Sequence, residues 1–449
     1  MRPLRIGAGA GYAGDRIDPA ADLAARGRLD WLVFECLAER TIALAQLRRL
    51  QAGPNDGEAG FDPLLRARLR AVLPACVAQG TRIITNMGAA NPLAAGRAAA
   101  AEARALGLAG LRIAVVTGDD VLDWVRAHRP PVQDTPFDWP ELAERLVSAN
   151  AYLGADALQP ALAQGADIVI TGRVADPALF LAPIAQHFGW AADDWPRLGR
   201  GIAVGHLLEC AAQVSGGYIA DPGVFDVPDL ARVGFPLAEV AADGAAVITK
   251  LPGTGGRIDR LTCTAQLLYE LEDPGAYLQP DVVADFRGVV FAEDGPDRVR
   301  VGGAGGRPRP ETLKVTLGLR EGFIGEGQIS YAGPGARARG ELALAILAER
   351  LALRGLAAAE RRAELVGVNA MHGPQLGAGH EPWEVRLRLA VRCDDRVAAE
   401  AVGQEVEALY LNGPAAGGGV TSTVREVVAA ASCLIPREAV QPALHWIAP

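Results

Sequence analysis

The chain has 449 residues, half of them hydrophobic and 22% charged, with a formal net charge of −9 at pH 7. That length supports two domains around a large core, and the composition excludes a disordered chain. The acidic balance, without a long block of one sign, excludes the concentrated basic footprint that nucleic-acid binding requires. In chain order, "LRIGAGAG" reads as a strand running into a loop, and "RLDWLVFEC" as a buried strand. "LAERTIALAQLRRLQAG" has helical periodicity and a glycine stop. "PLLRARLRAVLPACVAQG" is a second helical region, bent at Pro74, that leads into the strand "TRIITNMGAANP". A helix rich in Ala and Arg, the strand "LRIAVVTGDD" and a repeat of the pattern at "AQGADIVITGRVAD" follow. This succession predicts an α/β fold: an N-terminal, mostly parallel sheet flanked by helices on both faces.

Beyond residue 200 the pattern is less regular. "GHLLECAAQVSGGYIADP" reads as a helix with a glycine-rich exit, and "AAVITKLPGTGGRIDRLTCTAQLLYEL" as strand, tight loop and helix. The turn-rich "EDGPDRVRVGGAGGRPRPETLKV" suggests loops around a short strand pair, and the domain boundary is expected within 285–310. This assigns residues 1–290 to the α/β domain with the main pocket, and 291–449 to a C-terminal α+β domain. The latter is expected to hold the strand "TLKVTLGLREG", a loop "IGEGQISYAGPGARARG" and the helix "ELALAILAERLALRG". Two more strands and a final helix ending at "NGPAAGGG" complete it.

Parallel sheets bind ligands beyond the carboxyl ends of their strands, so the polar residues there are the candidates. Gly9, Gly11 and Gly14 spell a dinucleotide fingerprint, and Glu35 imitates its ribose-binding acid. A helix starting only at Asp18–Pro19, with Asp15 and Arg16 where it should already be forming, argues against that reading. A glycine-lined substrate pocket and a structural turn remain. Asn86 also lies at a strand end. Arg173 offers a planar fork for an anion or a structural ion pair, and Asp176 could orient it, act as a base or cap the next helix. His206 and Glu209, three residues apart, fit a structural pair, an acid/base pair, or two metal ligands needing a third from Asp221 or Asp226. Cys210 beside them reads as core rather than nucleophile.

Lys250 precedes Gly253, Thr254, Gly255 and Gly256, the reverse of a phosphate-binding ATPase loop, and points to an anion nest, a tight turn or a catalytic lysine. Glu270 is the preferred acid of "QLLYELEDPGAYLQPDV"; Asn412 in "NGPAAGGG" marks an exposed-backbone loop for a ligand or a partner subunit, or a plain helix stop, and His372 and His380 are placed too loosely for a metal site. Six scattered cysteines support neither a disulfide framework nor a thiolate metal site, and with no run of about 20 apolar residues they point to a cytoplasmic protein.

Taken together and in order, "IGAGAGYAGDR", "LVFECLAERT", "ITNMGAANP", "VITGRVADPALFLAP", "GHLLECAAQVSGG", "FPLAEV", "ITKLPGTGG", "QLLYELEDPGAYLQPDV" and "NGPAAGGG" resemble the acyclic terpene utilisation family, known as AtuA. The resemblance runs through almost the whole chain. It implies a place in the catabolism of acyclic terpenes such as citronellol and geraniol, whose intermediates travel as coenzyme A thioesters. It also implies, for some relatives, a small partner protein. It transfers no mechanism. The expectation is a lyase or hydratase acting on a small organic acid or acyl-thioester. Arg173 and Lys250 would hold the anionic part, the glycine loops would donate N–H groups, and Glu209 with His206, or Glu35 with Asp15, would move protons. A non-catalytic ligand-binding or assembly subunit is the alternative, and an NAD(P)-dependent oxidoreductase a third reading. The cofactor is left open: coenzyme A borne by the substrate, or a divalent metal. A homo-oligomer is expected, without membrane or nucleic-acid partners.

Overall fold

Short runs of Ile, Val, Leu and Ala, apolar on both sides of the backbone, form the centre of the main sheet. The computed structural model describes residues 2–53, 57–108, 110–356, 360–376 and 379–447. The strands of this sheet are β1 (Leu4–Ala10), β2 (Trp31–Phe34), β3 (Arg82–Thr85), β4 (Ile113–Thr117) and β5 (Ile168–Thr171). They continue with β6 (Pro236–Val240), β7 (Ala246–Lys250), β8 (Val290–Glu293), β9 (Arg298–Gly302) and β10 (Ala443–Ile447). Their order is β8-β9-β7-β6-β1-β2-β3-β5-β4-β10.

β1, β2, β3, β5 and β4 run parallel. Helices Asp18–Arg26, Leu65–Gln79, Pro92–Ala105 and Asp176–Phe188 flank them. Antiparallel strands extend this centre on both sides, β6, β7, β9 and β8 beyond β1 and β10 beyond β4, so the complete sheet is mixed. The first helix starts at Asp18 with Pro19 in its first turn; Ile17 is the N-cap, so Asp18 contributes first-turn charge rather than a cap.

Because the five central strands share one direction, their carboxyl ends lie along one edge. Gly11, Glu35, Asn86, Arg173 and Asp119 follow those ends directly or within two residues.

The chain forms two compact units, Met1–Gly318 with Ala430–Pro449, and Leu319–Ala429. The chain leaves the first within the strand Thr312–Ala332, at Gly318, beyond the 285–310 range that the turn-rich stretch suggests. The second unit is α+β. Its strand Glu384–Cys393 alternates Val385, Leu387, Leu389 and Val391 inward with Arg386, Arg388 and Arg392 outward. Leu347, Leu351, Val402 and Val406 of helices Ala336–Leu353 and Arg396–Asn412 join the inward side in one core. On the polar side, Arg388 bridges Glu326 and Glu364 at 2.7 and 2.8 Å.

Most of "IGEGQISYAGPGARARG", expected as a loop, is strand. A Cβ at Gly325 would stand 2.0 Å from the Ala399 carbonyl oxygen, and one at Gly327 2.6 Å from Val406. These glycines let a helix lie directly on the strand; they do not break it. The strands Gly418–Pro436 and β10, beyond the last expected helix, were not anticipated. Among the described residues, no helix is long and apolar enough to cross a membrane.

Candidate active site

The strand-end residues converge as a hydrogen-bonded set. Asn86, fully buried, accepts from the Cys36 N–H at 2.8 Å and donates to Glu35 Oε1 at 2.9 Å. The same Glu35 oxygen accepts from the Leu37 N–H at 2.7 Å. Burial, reinforced by Asp176, pushes the Glu35 carboxyl up to about 8, against the lowering pull of Arg173 and these two donors. Glu35 is therefore a carboxylic acid at neutral pH, and with Oε1 accepting two donors its proton belongs on Oε2.

Two strands further along, Asp119 Oδ2 accepts from the Arg173 N–H and from Asn150 Nδ2, each at 2.9 Å. A Cβ on Gly172 would fall 2.5 Å from both Asp119 oxygens, so only glycine admits that carboxylate. Arg173 has no exposed surface. It pairs with Asp176, and its guanidinium lies 4.6 Å from the Tyr152 ring centre. Burial opposes its charge, but Asp176, Tyr152, Glu35 and Glu39 outweigh that and raise its pKa. Its Nη1 has no hydrogen-bond partner. Asp176 is the first residue of helix Asp176–Phe188 and makes no side-chain cap, so the ion pair is its role.

The helix Trp195–Glu209 brings a second acid to this group. His206 Nδ1 lies 2.7 Å from Glu209 Oε1, and His206 Nε2 lies 3.1 Å from the Leu267 carbonyl. A carbonyl only accepts, so Nε2 carries a hydrogen. The short bond to Glu209 then holds one further proton, on the imidazole or on the carboxyl. Burial raises Glu209 to about 7 against the pull of His206, with Asp176 and Glu270 adding to the rise. Burial disfavours the His206 cation, but Glu209, the Leu267 carbonyl and Glu270 raise its pKa overall. Both shifts describe one shared proton. Glu209 Oε2 is buried and unpartnered. Tyr277 and Phe286 enclose the imidazole, with ring centres 5.1 and 5.9 Å from it.

The remaining sequence candidates divide. Gly11 belongs to the group: a Cβ there would stand 2.4 Å from the carbonyl carbon of Cys210, so the loop touches the end of the Glu209 helix. Gly9 and Gly14 pack under the rings of Phe34 and Tyr12. Asp15 is occupied by the Gly11 and Arg16 N–H groups at 2.9 and 2.8 Å, and burial raises its pKa. The Arg16 guanidinium donates to the carbonyls of Leu230 and Ala231. Glu270 is exposed in the turn after helix Arg260–Leu268, close enough to influence Asp176, His206 and Glu209.

Lys250 stands apart. Five strand spacings separate β7 from β5, about 24 Å. Its Nζ donates to the Thr254 carbonyl and pairs with Asp297, each at 2.9 Å. The N–H groups of Thr254, Gly255 and Gly256 already donate to Leu251, Arg232 and Pro228. The expected nest is therefore a self-satisfied turn, because each of these amides has an internal acceptor. Asn412 ends its helix, donating to the Ala408 carbonyl.

Sequence reading missed Arg68, Tyr152, Glu39 and Gln266. Fully buried Arg68 donates through Nη2 to the carbonyls of Tyr12, Ala13 and Asp15, and through Nη1 to Cys36 Sγ at 3.0 Å, fixing the first glycine loop beside the residue after Glu35. Tyr152 donates to Glu39 at 2.5 Å, and Gln266 donates to the His206 carbonyl at 2.9 Å. The run Arg66, Arg68, Arg70 on one helix was the only available signal, since an arginine between apolar neighbours implies a buried partner. Among the described residues, no group of three or more His, Cys, Asp or Glu is arranged to hold a metal ion.

The family model for acyclic terpene utilisation protein AtuA matches residues 4–446. The chain belongs to the AtuA family. The match covers nearly the whole chain, so the acid cluster and both units lie within the family's own extent. Membership suggests a role in acyclic terpene catabolism. No curated protein and no solved structure matches the chain.

Proposed function

We propose that this AtuA-family chain is a lyase or hydratase that moves protons at an acyl carbonyl, with a coenzyme A thioester as the substrate class. The carrying observation is the Glu209 carboxyl, one oxygen tied to His206 at 2.7 Å and the other buried without a partner. As a carboxylate, Glu209 takes the proton α to the carbonyl. Glu35, protonated at neutral pH, gives its proton to the departing β-hydroxyl. Water leaves, a carbon–carbon double bond forms next to the carbonyl, and the reverse sequence is hydration. His206 holds Glu209 in place and shares its proton. Arg173 balances Asp176 and offers its free Nη1 to a substrate oxygen.

The test is incubation of the purified chain with 3-hydroxyacyl and 2,3-enoyl coenzyme A thioesters in D2O, followed by mass spectrometry. Deuterium should enter the α position, and Glu209→Gln should slow its entry by about 10²–10⁴-fold. Glu35→Gln should block hydration while α exchange continues. Exchange undiminished in Glu209→Gln overturns the base assignment. No exchange with either class favours a ligand-binding or assembly subunit whose partner carries the chemistry.

A further inference from the structure

A cavity of about 370 Å³ lies in the first unit, with Leu153 forming part of one wall. The neighbouring Tyr152 stacks on Arg173, and the Leu153 N–H donates to the Arg173 carbonyl at 3.2 Å. The volume falls within the range of small-molecule sites. Leu153, Leu313, Val440 and Leu444 supply an apolar lining, and Asp156 and Arg437 supply charge.

The charged groups are unevenly satisfied. Arg437 is anchored through Nη2, which donates to the carbonyls of Pro280 and Pro310. Its Nε is buried without a partner, and its Nη1 reaches Asp156 only at 3.8 Å. Arg309 holds the same Asp156 oxygen at 2.9 Å. Two guanidiniums thus compete for one carboxylate. The nearby Asp281 is committed to the Ala155 N–H at 2.8 Å, and burial pushes it up to about 6. An arginine lining a mainly apolar cavity, with its Nη1 held only by a 3.8 Å contact, suits a ligand carrying one acceptor group on an apolar body.

We propose that this cavity binds a small aliphatic carboxylate, its carboxylate on Arg437 and its chain along Leu153, Leu313, Val440 and Leu444. The site is separate from the acid/base group, and its test reads binding alone.

Octanoate, octan-1-ol and acetate are titrated calorimetrically into the full chain. Octanoate should bind once per chain, with the alcohol and acetate each at least tenfold weaker, because one lacks the charge and the other the chain. Arg437→Gln should weaken octanoate at least tenfold. Since Arg437 also ties two backbone carbonyls, Ala443→Trp provides a second variant: this exposed lining residue makes none of those bonds, and the indole fills the cavity. It should abolish octanoate binding at an unchanged melting temperature. Equal affinity for octanoate and octan-1-ol, octanoate binding unaltered in Ala443→Trp, or no saturable binding overturns the proposal.

Discussion

Replacing Glu35 with Gln should make the protein more stable at high pH and leave it nearly unchanged at low pH. Gln keeps the Oε1 acceptor for the Leu37 N–H and Asn86, and an amide takes the place of the acid hydroxyl. In the unfolded chain the carboxyl titrates near its ordinary 4.5; in the native state burial and Asp176 hold it up to about 8. Below pH 4.5 both states are protonated, and the group's favourable contribution is fully present. Between 4.5 and 8 only the unfolded state ionises, so native stability falls by about 1.4 kcal/mol per pH unit. The loss reaches about 5 kcal/mol above pH 8, and the amide never incurs it. Urea unfolding of both proteins from pH 4 to 9, followed by tryptophan fluorescence, to which Trp31 buried in β2 contributes, measures the difference. Parallel stability curves for the two proteins would refute the reasoning, since they would mean that Glu35 ionises equally in the folded and unfolded chain.

Three further outcomes follow from the packing. Gly172→Ala places a methyl 2.5 Å from both Asp119 oxygens and should cost about 1–3 kcal/mol in a melting experiment, with loss of any thioester turnover. Gly11→Ala drives a methyl against the Cys210 backbone, which cannot rotate away; it should lower both stability and turnover, whereas an alanine at Gly57, with open space around it, should lower neither. Of the six free cysteines five are buried, and burial raises the pKa of each, including half-buried Cys210. Thiol titration of the native protein at pH 8 should therefore be slow, with Cys210 reacting first; rapid labelling of Cys36 would contradict its position beneath Arg68.

The fold was legible where one physical rule dominated. Apolar runs broken by strand-end polar residues announced the parallel centre, and that geometry brought Glu35, Asn86 and Arg173 together as expected. The helical spacing of His206 and Glu209 gave a contact, though not its protonation, which depends on the Leu267 carbonyl 61 residues from His206. The antiparallel extension was harder to read, because the direction of a strand leaves no mark in its composition. Gly325 and Gly327 misled for a related reason: glycine marks a bend and a helix-contact surface equally well. Lys250 and the glycines after it looked like an anion site because local spacing cannot reveal that distant carbonyls have already taken the amides. Arg68 stayed hidden because its partners come from three loops widely spaced along the chain.

β10 is held against β4 through five residue pairs from Ala443–Thr117 to Ile447–Ile113, although the whole second unit lies between them in the chain. Until that late segment docks, Ile113–Thr117 presents unpaired amides and carbonyls beside an apolar surface, an arrangement that invites a strand from another molecule. Deleting Ala443–Ile447 would therefore do more than remove one strand: it would uncover an adhesive flank that seeds aggregates.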